Sequence, residues 1–244
     1  MDLNDYALVS RNYEKSLDLE YKKNKGIFYT DIELAEKIID FLEIPKDSII
    51  LDPCCGTGNF LVAAKNQGYQ KTYGADIDKK AISLSKKNTN ITNLKVMDTL
   101  ANKANDVLSK FKLEEPVDVV IGNPPYVPIA KDIIIDTSDY LFLREVKDSG
   151  SNLFIAALYR AFDLVKESGI ISYVIPKNFL HVTSYKVLRK MILNEKQIIS
   201  IVDIGENFKN VRGEQIIITL RNKFIKNNNI CIYSYENNKI IKKL

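Results

Sequence analysis

The chain has 244 residues, 45% of them hydrophobic and 27% charged, which suits one large domain, or one domain with an appendage, around a sizeable core. No run approaches about 18 apolar residues and Met1 to Arg11 is polar, so the sequence offers neither a membrane-spanning helix nor a secretory core and points to the cytoplasm. Three cysteines (Cys54, Cys55, Cys231) and the single His181 supply no disulfide framework and no metal set.

Net charge is +4, but it is unevenly placed. Residues 221–244 carry Arg221, Lys223, Lys226, Lys239, Lys242 and Lys243 against Glu236 alone, a balance of +5 that leaves −1 for residues 1–220. Two readings stay open: a solvated end in a chain rich in Lys, Asn and Ile, or a strip that tracks phosphates.

Residues 1–25 are polar, with sparse apolar positions (Leu17, Leu19, Tyr21), and read as a leader, flexible or packed on, without chemistry. In the segment Gly26-Ile27-Phe28-Tyr29-Thr30-Asp31-Ile32-Glu33-Leu34-Ala35, Thr30 and Glu33 have capping-box spacing. Leu34, Ile38, Ile39, Phe41 and Leu42 then repeat at helical period, so a helix is predicted over about 31–43. Ser48 to Leu51 reads as a buried strand. Asp52-Pro53-Cys54-Cys55-Gly56-Thr57-Gly58-Asn59-Phe60 follows it as a glycine-rich turn opening a helix through about Gln67.

A second strand, Lys71 to Ala75, ends at Asp76-Ile77-Asp78, with Asp78 capping a helix over about 79–87. A third, near 93–97, ends at Asp98, for which the lesser alternative is the cap of a helix beginning near Leu100. A fourth, Val117 to Ile121, leads through Gly122 into Asn123-Pro124-Pro125-Tyr126. Residues 127–150 read as a long loop. A helix capped by Ser151 or Asn152 carries Leu153, Phe154, Ala157, Leu158, Ala161, Phe162 and Val165. A fifth strand, Gly169 to Ile175, precedes Pro176-Lys177-Asn178-Phe179 and a helix over about 184–193 with Tyr185 near its start. Strands near 198–204 and 215–220 read as a closing antiparallel pair, and 229–243 as a further hairpin.

Alternating strands and helices predict a doubly wound α/β sheet, whose ligands bind at the carboxyl ends of its strands. Those ends carry acids. A carboxylate in the glycine turn, Asp52, disfavours phosphate and suits a ligand with its own ammonium group. Walker lysine spacing is absent. Asp76 stands where a ribose is gripped through both hydroxyls, and Ile77 beside it offers a base an apolar face. Asp98 could accept from an adenine amino group. The tetrapeptide supplies carbonyl acceptors, stiff prolines and the flat Tyr126 ring, a set that suits a conjugated NH2 group; taken alone it also fits a rigid turn.

In order and spacing, Gly26 to Ala35, Asp52 to Phe60, Asp76 to Asp78, Asp98, Asn123 to Tyr126, the Ser151 to Phe154 helix start and Pro176 to Phe179 resemble the gamma-class DNA amino-methyltransferases. These are the Taq-type adenine methylases of restriction–modification systems, and the similarity covers roughly residues 24–222. The resemblance implies a Rossmann-like S-adenosylmethionine-dependent methyltransferase fold with a mostly parallel seven-stranded sheet and an antiparallel end. It implies a leader over 1–25, a catalytic domain over 26–224, and a basic tail or the start of a further domain over 225–244. Thr30, Asp52, Pro53, Gly56 and Gly58 would line the methionine end of S-adenosylmethionine. Asp76 would hold the ribose, Ile77 would pack on the adenine and Asp98 would bind its amino group. Asn123 and the Pro124 carbonyl would hold the target amine, with Pro125 stiffening the segment. Tyr126 would stack on a flipped base, with Tyr185 as a second ring against it.

Double-stranded DNA is the implied partner. These enzymes continue into a large target-recognition domain, so recognition would come from another subunit or from more of a longer protein. Asparagine at the head of the tetrapeptide favours adenine, because related cytosine methylases usually begin it with serine. Rival readings are methylation of a glutamine side chain in a protein, which uses the same tetrapeptide, methylation of RNA, and a noncatalytic cofactor-binding subunit.

Overall fold

In the computed structural model, residues 3–129, 152–206, 213–226 and 229–243 are described. The apolar runs become strands and the helical repeats between them become the flanking layers. In chain order the elements are α1 (Leu3–Ser16), α2 (Leu19–Lys25), α3 (Ile32–Phe41), β1 (Ile50–Asp52), α4 (Asn59–Asn66), β2 (Thr72–Asp76) and α5 (Lys79–Asn88). There follow β3 (Leu94–Val96), α6 (Ala104–Lys110), β4 (Val117–Gly122), α7 (Leu153–Leu164), β5 (Val165–Pro176), α8 (Lys186–Glu195), β6 (Gln197–Gly205), β7 (Gln215–Arg221), β8 (Cys231–Glu236) and β9 (Lys239–Lys242).

The strands form one sheet in the order β3-β2-β1-β4-β5-β7-β6-β8-β9. Strands β1 to β5 are parallel, and β7 runs antiparallel between β5 and β6. The order reverses between β1 and β4, which makes their carboxyl ends the crevice of the sheet. Seven strands were expected and nine are present among the described residues, because the 229–243 hairpin does form and joins the sheet. Its first strand, β8, pairs parallel with β6, and β9 closes on β8. The basic end is thus an edge of the sheet.

Strand alternation divides the core into two layers. Leu51, Val117 and Val120 face α6, α7 and α8, whereas Ile50, Val119 and Ile121 face α3 and α4. Burying each such side chain stabilises by about 1.5–3 kcal/mol, so both faces of β1 and β4 are held stiffly under the crevice.

Several local expectations are corrected. Thr30 does not cap α3: Asp31 occupies that position without a side-chain cap bond, and Glu33 instead accepts from Asn238 Nδ2 at 2.6 Å. No helix begins near Leu100; Asp98 Oδ1 accepts from Leu100 N and Ala101 N in a turn, and α6 starts at Ala104. Tyr185 ends a short 3-10 turn (Thr183–Tyr185) and stands just before α8, without a side-chain cap bond. Asn152 caps α7 by accepting from Phe154 N at 3.2 Å. The long loop beyond Ile129, the Ser151 cap and most of the Glu206–Gly213 connection lie outside the described residues.

Candidate active site

The crevice is built on two strand ends. Asp52 ends β1 and is 1% exposed; Cys54 N donates to its Oδ1 at 3.1 Å. Burial pushes the Asp52 carboxyl well above the usual carboxylate range, and the nearby Asp76 charge adds to this against the Cys54 amide. Gly122 ends β4 with φ +154°, and a Cβ there would lie 2.6 Å from Asp52 Oδ1. Only glycine lets the β4 end come this close to the carboxylate.

Asp76, at the end of β2, accepts from Gly56 N at 2.7 Å and from Asp78 N at 2.8 Å, so it braces the glycine turn. Burial raises its pKa, against the bonds from those two amides. Ile77 is 59% exposed, an apolar face left open beside Asp76. Pro53 is buried, and its carbonyl accepts from Thr99 Oγ1 at 3.0 Å, fastening the turn to the Asp98 loop. Asp78 caps α5 through Lys80 N and Ala81 N, as its position predicted.

Asn123 is fixed at both ends of its amide. Nδ2 donates to the Phe28 carbonyl at 2.9 Å, which can only accept, so Oδ1 must point the other way. There it accepts from the Tyr126 hydroxyl, which also donates to the Val174 carbonyl on β5 at 2.8 Å. Asn59 Nδ2 holds the Thr30 carbonyl at 2.7 Å, so the 28–30 segment is laid across the crevice by two asparagines. Phe28, Tyr29, Thr30, Asp52, Thr57 and Asn123 share the lining of one cleft.

Pro124 is buried and Pro125 half-buried. Tyr126 and Tyr185 are brought together through a third ring. Phe154 meets Tyr126 edge-on at 6.2 Å and Tyr185 edge-on at 5.2 Å, while Phe179 lies 6.2 Å from both Phe154 and Tyr185. Phe154 was expected only as one apolar residue of its helix, yet it seats both tyrosines. Phe179 is buried in the core and His181 is exposed. The unexpected contributor is α1: Tyr6, Ser10 and Tyr13 reach the glycine turn and Asp78.

Residues 4–243 match the family described as N-6 DNA Methylase. The chain belongs to the N-6 DNA methylase family. It is similar to the type II methyltransferase M.VspI of Vibrio sp. (strain 343), with 32% identity over 87% of this chain and 52% of that protein. It is also similar to the modification methylase CviBIII of Paramecium bursaria Chlorella virus NC1A, with 28% identity over 79% of this chain and 48% of that one. The chain therefore spans about half the length of these curated relatives. Among solved structures, the methyltransferase subunit of a type I restriction-modification system from Streptococcus thermophilus superposes with a TM-score of 0.67 at 21% identity, over 88% of this chain and 50% of that chain. The type ISP restriction-modification enzyme LlaBIII superposes with a TM-score of 0.71 at 18% identity, over 98% of this chain and 22% of that chain. The fold is the Rossmann-like one of S-adenosylmethionine-dependent methyltransferases.

S-adenosylmethionine is the cofactor of this N-6 methylase fold, and the crevice suits it. Thr30 Oγ1 is buried in the cleft lining with no hydrogen-bond partner among the described residues, a polar group waiting for a ligand. Burial disfavours the ionised Asp52 carboxyl, a penalty that a cationic neighbour such as the methionine ammonium would offset. No group of three or more metal-binding side chains occurs among the described residues, and no helix there is long and apolar enough to cross a membrane.

Proposed function

We propose that this chain is the catalytic part of a DNA methyltransferase that methylates the exocyclic 6-amino group of an adenine turned out of the duplex, in a restriction–modification system. One observation carries the reading: Asn123 lines the same cleft as Thr30 and Asp52, with Gly122 bringing the two strand ends into contact. Cofactor acid and amine acceptor are thus side by side.

When bound, the cofactor supplies an electrophilic methyl on a sulfonium. The protein's part is to ready the acceptor. An adenine amine is a poor nucleophile because its lone pair is delocalised into the ring. Asn123 Oδ1 and the Pro124 carbonyl would take its two hydrogens and turn the lone pair toward the methyl, which is catalysis by positioning and electrostatics. Tyr126 has one hydroxyl hydrogen for two acceptors, so a substrate hydrogen on Asn123 Oδ1 leaves that of Tyr126 to Val174. Extruding the base costs a few kcal/mol. Stacking recovers about 1–3 kcal/mol per base, the part given to Tyr126 and Tyr185. Thr30, Asp52, Pro53, Gly56 and Gly58 would hold the methionine end, Asp76 the ribose, and Ile77 and Asp98 the adenine. Target recognition falls to the half of the relatives' length that this chain does not span, or to another subunit.

The test is transfer of labelled methyl to unmethylated DNA, total RNA and a protein lysate in parallel, with Asn123→Ala as control. Methyladenine in DNA, abolished by Asn123→Ala, is the expected result. Label only in RNA or in protein glutamine would overturn the substrate. No label with cofactor still bound would place recognition, and the activity that depends on it, beyond this chain.

A further inference from the structure

The first helix carries three hydroxyl groups at positions i, i+4 and i+7, hence on one face, and each bonds to a cofactor-facing segment. The Tyr6 hydroxyl donates to the Thr57 carbonyl. Ser10 Oγ lies 2.6 Å from Thr57 Oγ1, and the Tyr13 hydroxyl donates to Asp78 Oδ2 at 2.7 Å. The bond to Asp78 uses the oxygen left over from capping α5, which engages Oδ1. Beside this face, Arg11 Nε meets Asp31 Oδ1 at 2.9 Å, and the Tyr13 ring is stacked on Tyr29 at 6.4 Å with 15° between planes. Tyr29 in turn lies directly over the glycine turn. Gly56 has φ +51°, and a Cβ there would sit 2.3 Å from Tyr29 Cε1. One helix therefore fastens the 29–31 segment, the glycine turn and the end of β2 to one another.

We propose that α1 and Tyr29 form the outer wall of the cofactor site, and that Ser10 and Tyr13 are positioning residues for S-adenosylmethionine. This rests on the reading of the cleft as that cofactor's site. The Tyr6 ring is buried, and its hydroxyl, with those of Ser10 and Tyr13, is aimed at the turn and Asp78, whereas Leu8 on another face is 58% exposed. A helix serving only as packing would be held by an apolar stripe on the flanking layers. Here the bonds end on Thr57 and Asp78, which flank Gly56 and Asp76. Loss of these bonds frees the turn and lifts the Tyr13–Tyr29 pair from its place over Gly56. The consequence falls on cofactor affinity.

The test measures S-adenosylmethionine and S-adenosylhomocysteine binding by calorimetry in the full chain and in Tyr13→Phe, Ser10→Ala and their combination, with Ser10→Thr as the conservative rescue. Hydrogen exchange over residues 3–16 is followed with and without cofactor. The combined variant is expected to bind both ligands about tenfold more weakly, about 1.4 kcal/mol, with Ser10→Thr recovering most of the Ser10→Ala loss. Helix α1 should gain protection when cofactor binds, and in turnover the loss should sit in the cofactor KM more than in kcat. Variants that melt earlier yet bind cofactor like the parent, with exchange in α1 indifferent to cofactor, would reduce α1 to scaffold and overturn the proposal while leaving the pocket intact. A parent chain that binds neither ligand would overturn the pocket reading and the proposal with it.

Discussion

Asp52 shows how one buried residue couples binding to pH. Its folded-state pKa is raised, chiefly by burial, so the carboxyl is protonated at a pH where an exposed one is ionised. Its contribution to folding is therefore fully present below the ordinary carboxyl pKa and lost as pH rises through the raised value. A cationic ligand reverses the balance by favouring the ionised form. Two results follow for S-adenosylmethionine. Its affinity should strengthen as pH rises through the raised Asp52 pKa, with proton release on binding, and its stabilisation of the fold should grow over the same range. Calorimetry in buffers of different ionisation enthalpy and thermal unfolding across pH read both effects. An Asp52→Asn chain should show neither. Affinity that is flat with pH in the parent would remove Asp52 from the ammonium site.

At the scale of elements, the strand ends were legible because acids, glycines and prolines mark them locally, and the continuous apolar runs of the buried strands and the 3.6-residue period of the helices between them are strong. Helix α1 was not. It docks through the buried Tyr6 ring and the Tyr6, Ser10 and Tyr13 hydroxyls while Leu8 stays exposed, so its sequence shows no long apolar stripe, and only the 6-10-13 spacing of hydroxyl residues hinted at a face. Thr30 was misread as a cap because its spacing to Glu33 fits one, whereas tertiary structure turns its hydroxyl into the cleft. The end of β4 is the tightest joint. Gly122→Ala combines an unfavourable φ with a Cβ 2.6 Å from Asp52 Oδ1, so it should lower stability by about 1–3 kcal/mol and weaken cofactor binding together. Urea unfolding and calorimetry check the pair; an unchanged cofactor affinity would separate β4 from the cofactor half. On α7, Phe154→Leu removes three ring contacts and should destabilise by about 2 kcal/mol. It should also lower the 2-aminopurine fluorescence that reports an extruded base. A lost signal with the Tyr126 and Tyr185 rings still in place would contradict Phe154 as their seat.

At the scale of the molecule, the +5 of residues 221–244 is divided: Arg221, Lys223 and Lys226 stand at and after the end of β7, and Lys239, Lys242 and Lys243 against Glu236 leave +2 on the hairpin that completes the sheet. Lys243 is paired with Glu236 at 2.7 Å, while Lys239 and Lys242 are exposed. If this edge meets about five phosphates, DNA binding should follow a log–log salt slope of about −4 to −5. Deleting the segment would strip β8 from β6, so the fitting variants are Lys239→Gln and Lys242→Gln, which together should flatten the slope by about 2. An unchanged slope would leave the edge merely solvated.

The proposed site is one cleft with two halves, Thr30 and Asp52 to hold the cofactor and Asn123 to hold the acceptor amine. The most direct measurement is the S-adenosylmethionine dissociation constant of the parent chain, Asp52→Asn and Asn123→Ala, taken side by side. Loss of a charge-assisted contact worth about 1.5–3 kcal/mol predicts binding about 10-fold to 100-fold weaker in Asp52→Asn, with Asn123→Ala close to the parent. The opposite order, or a parent chain that does not bind, would contradict it.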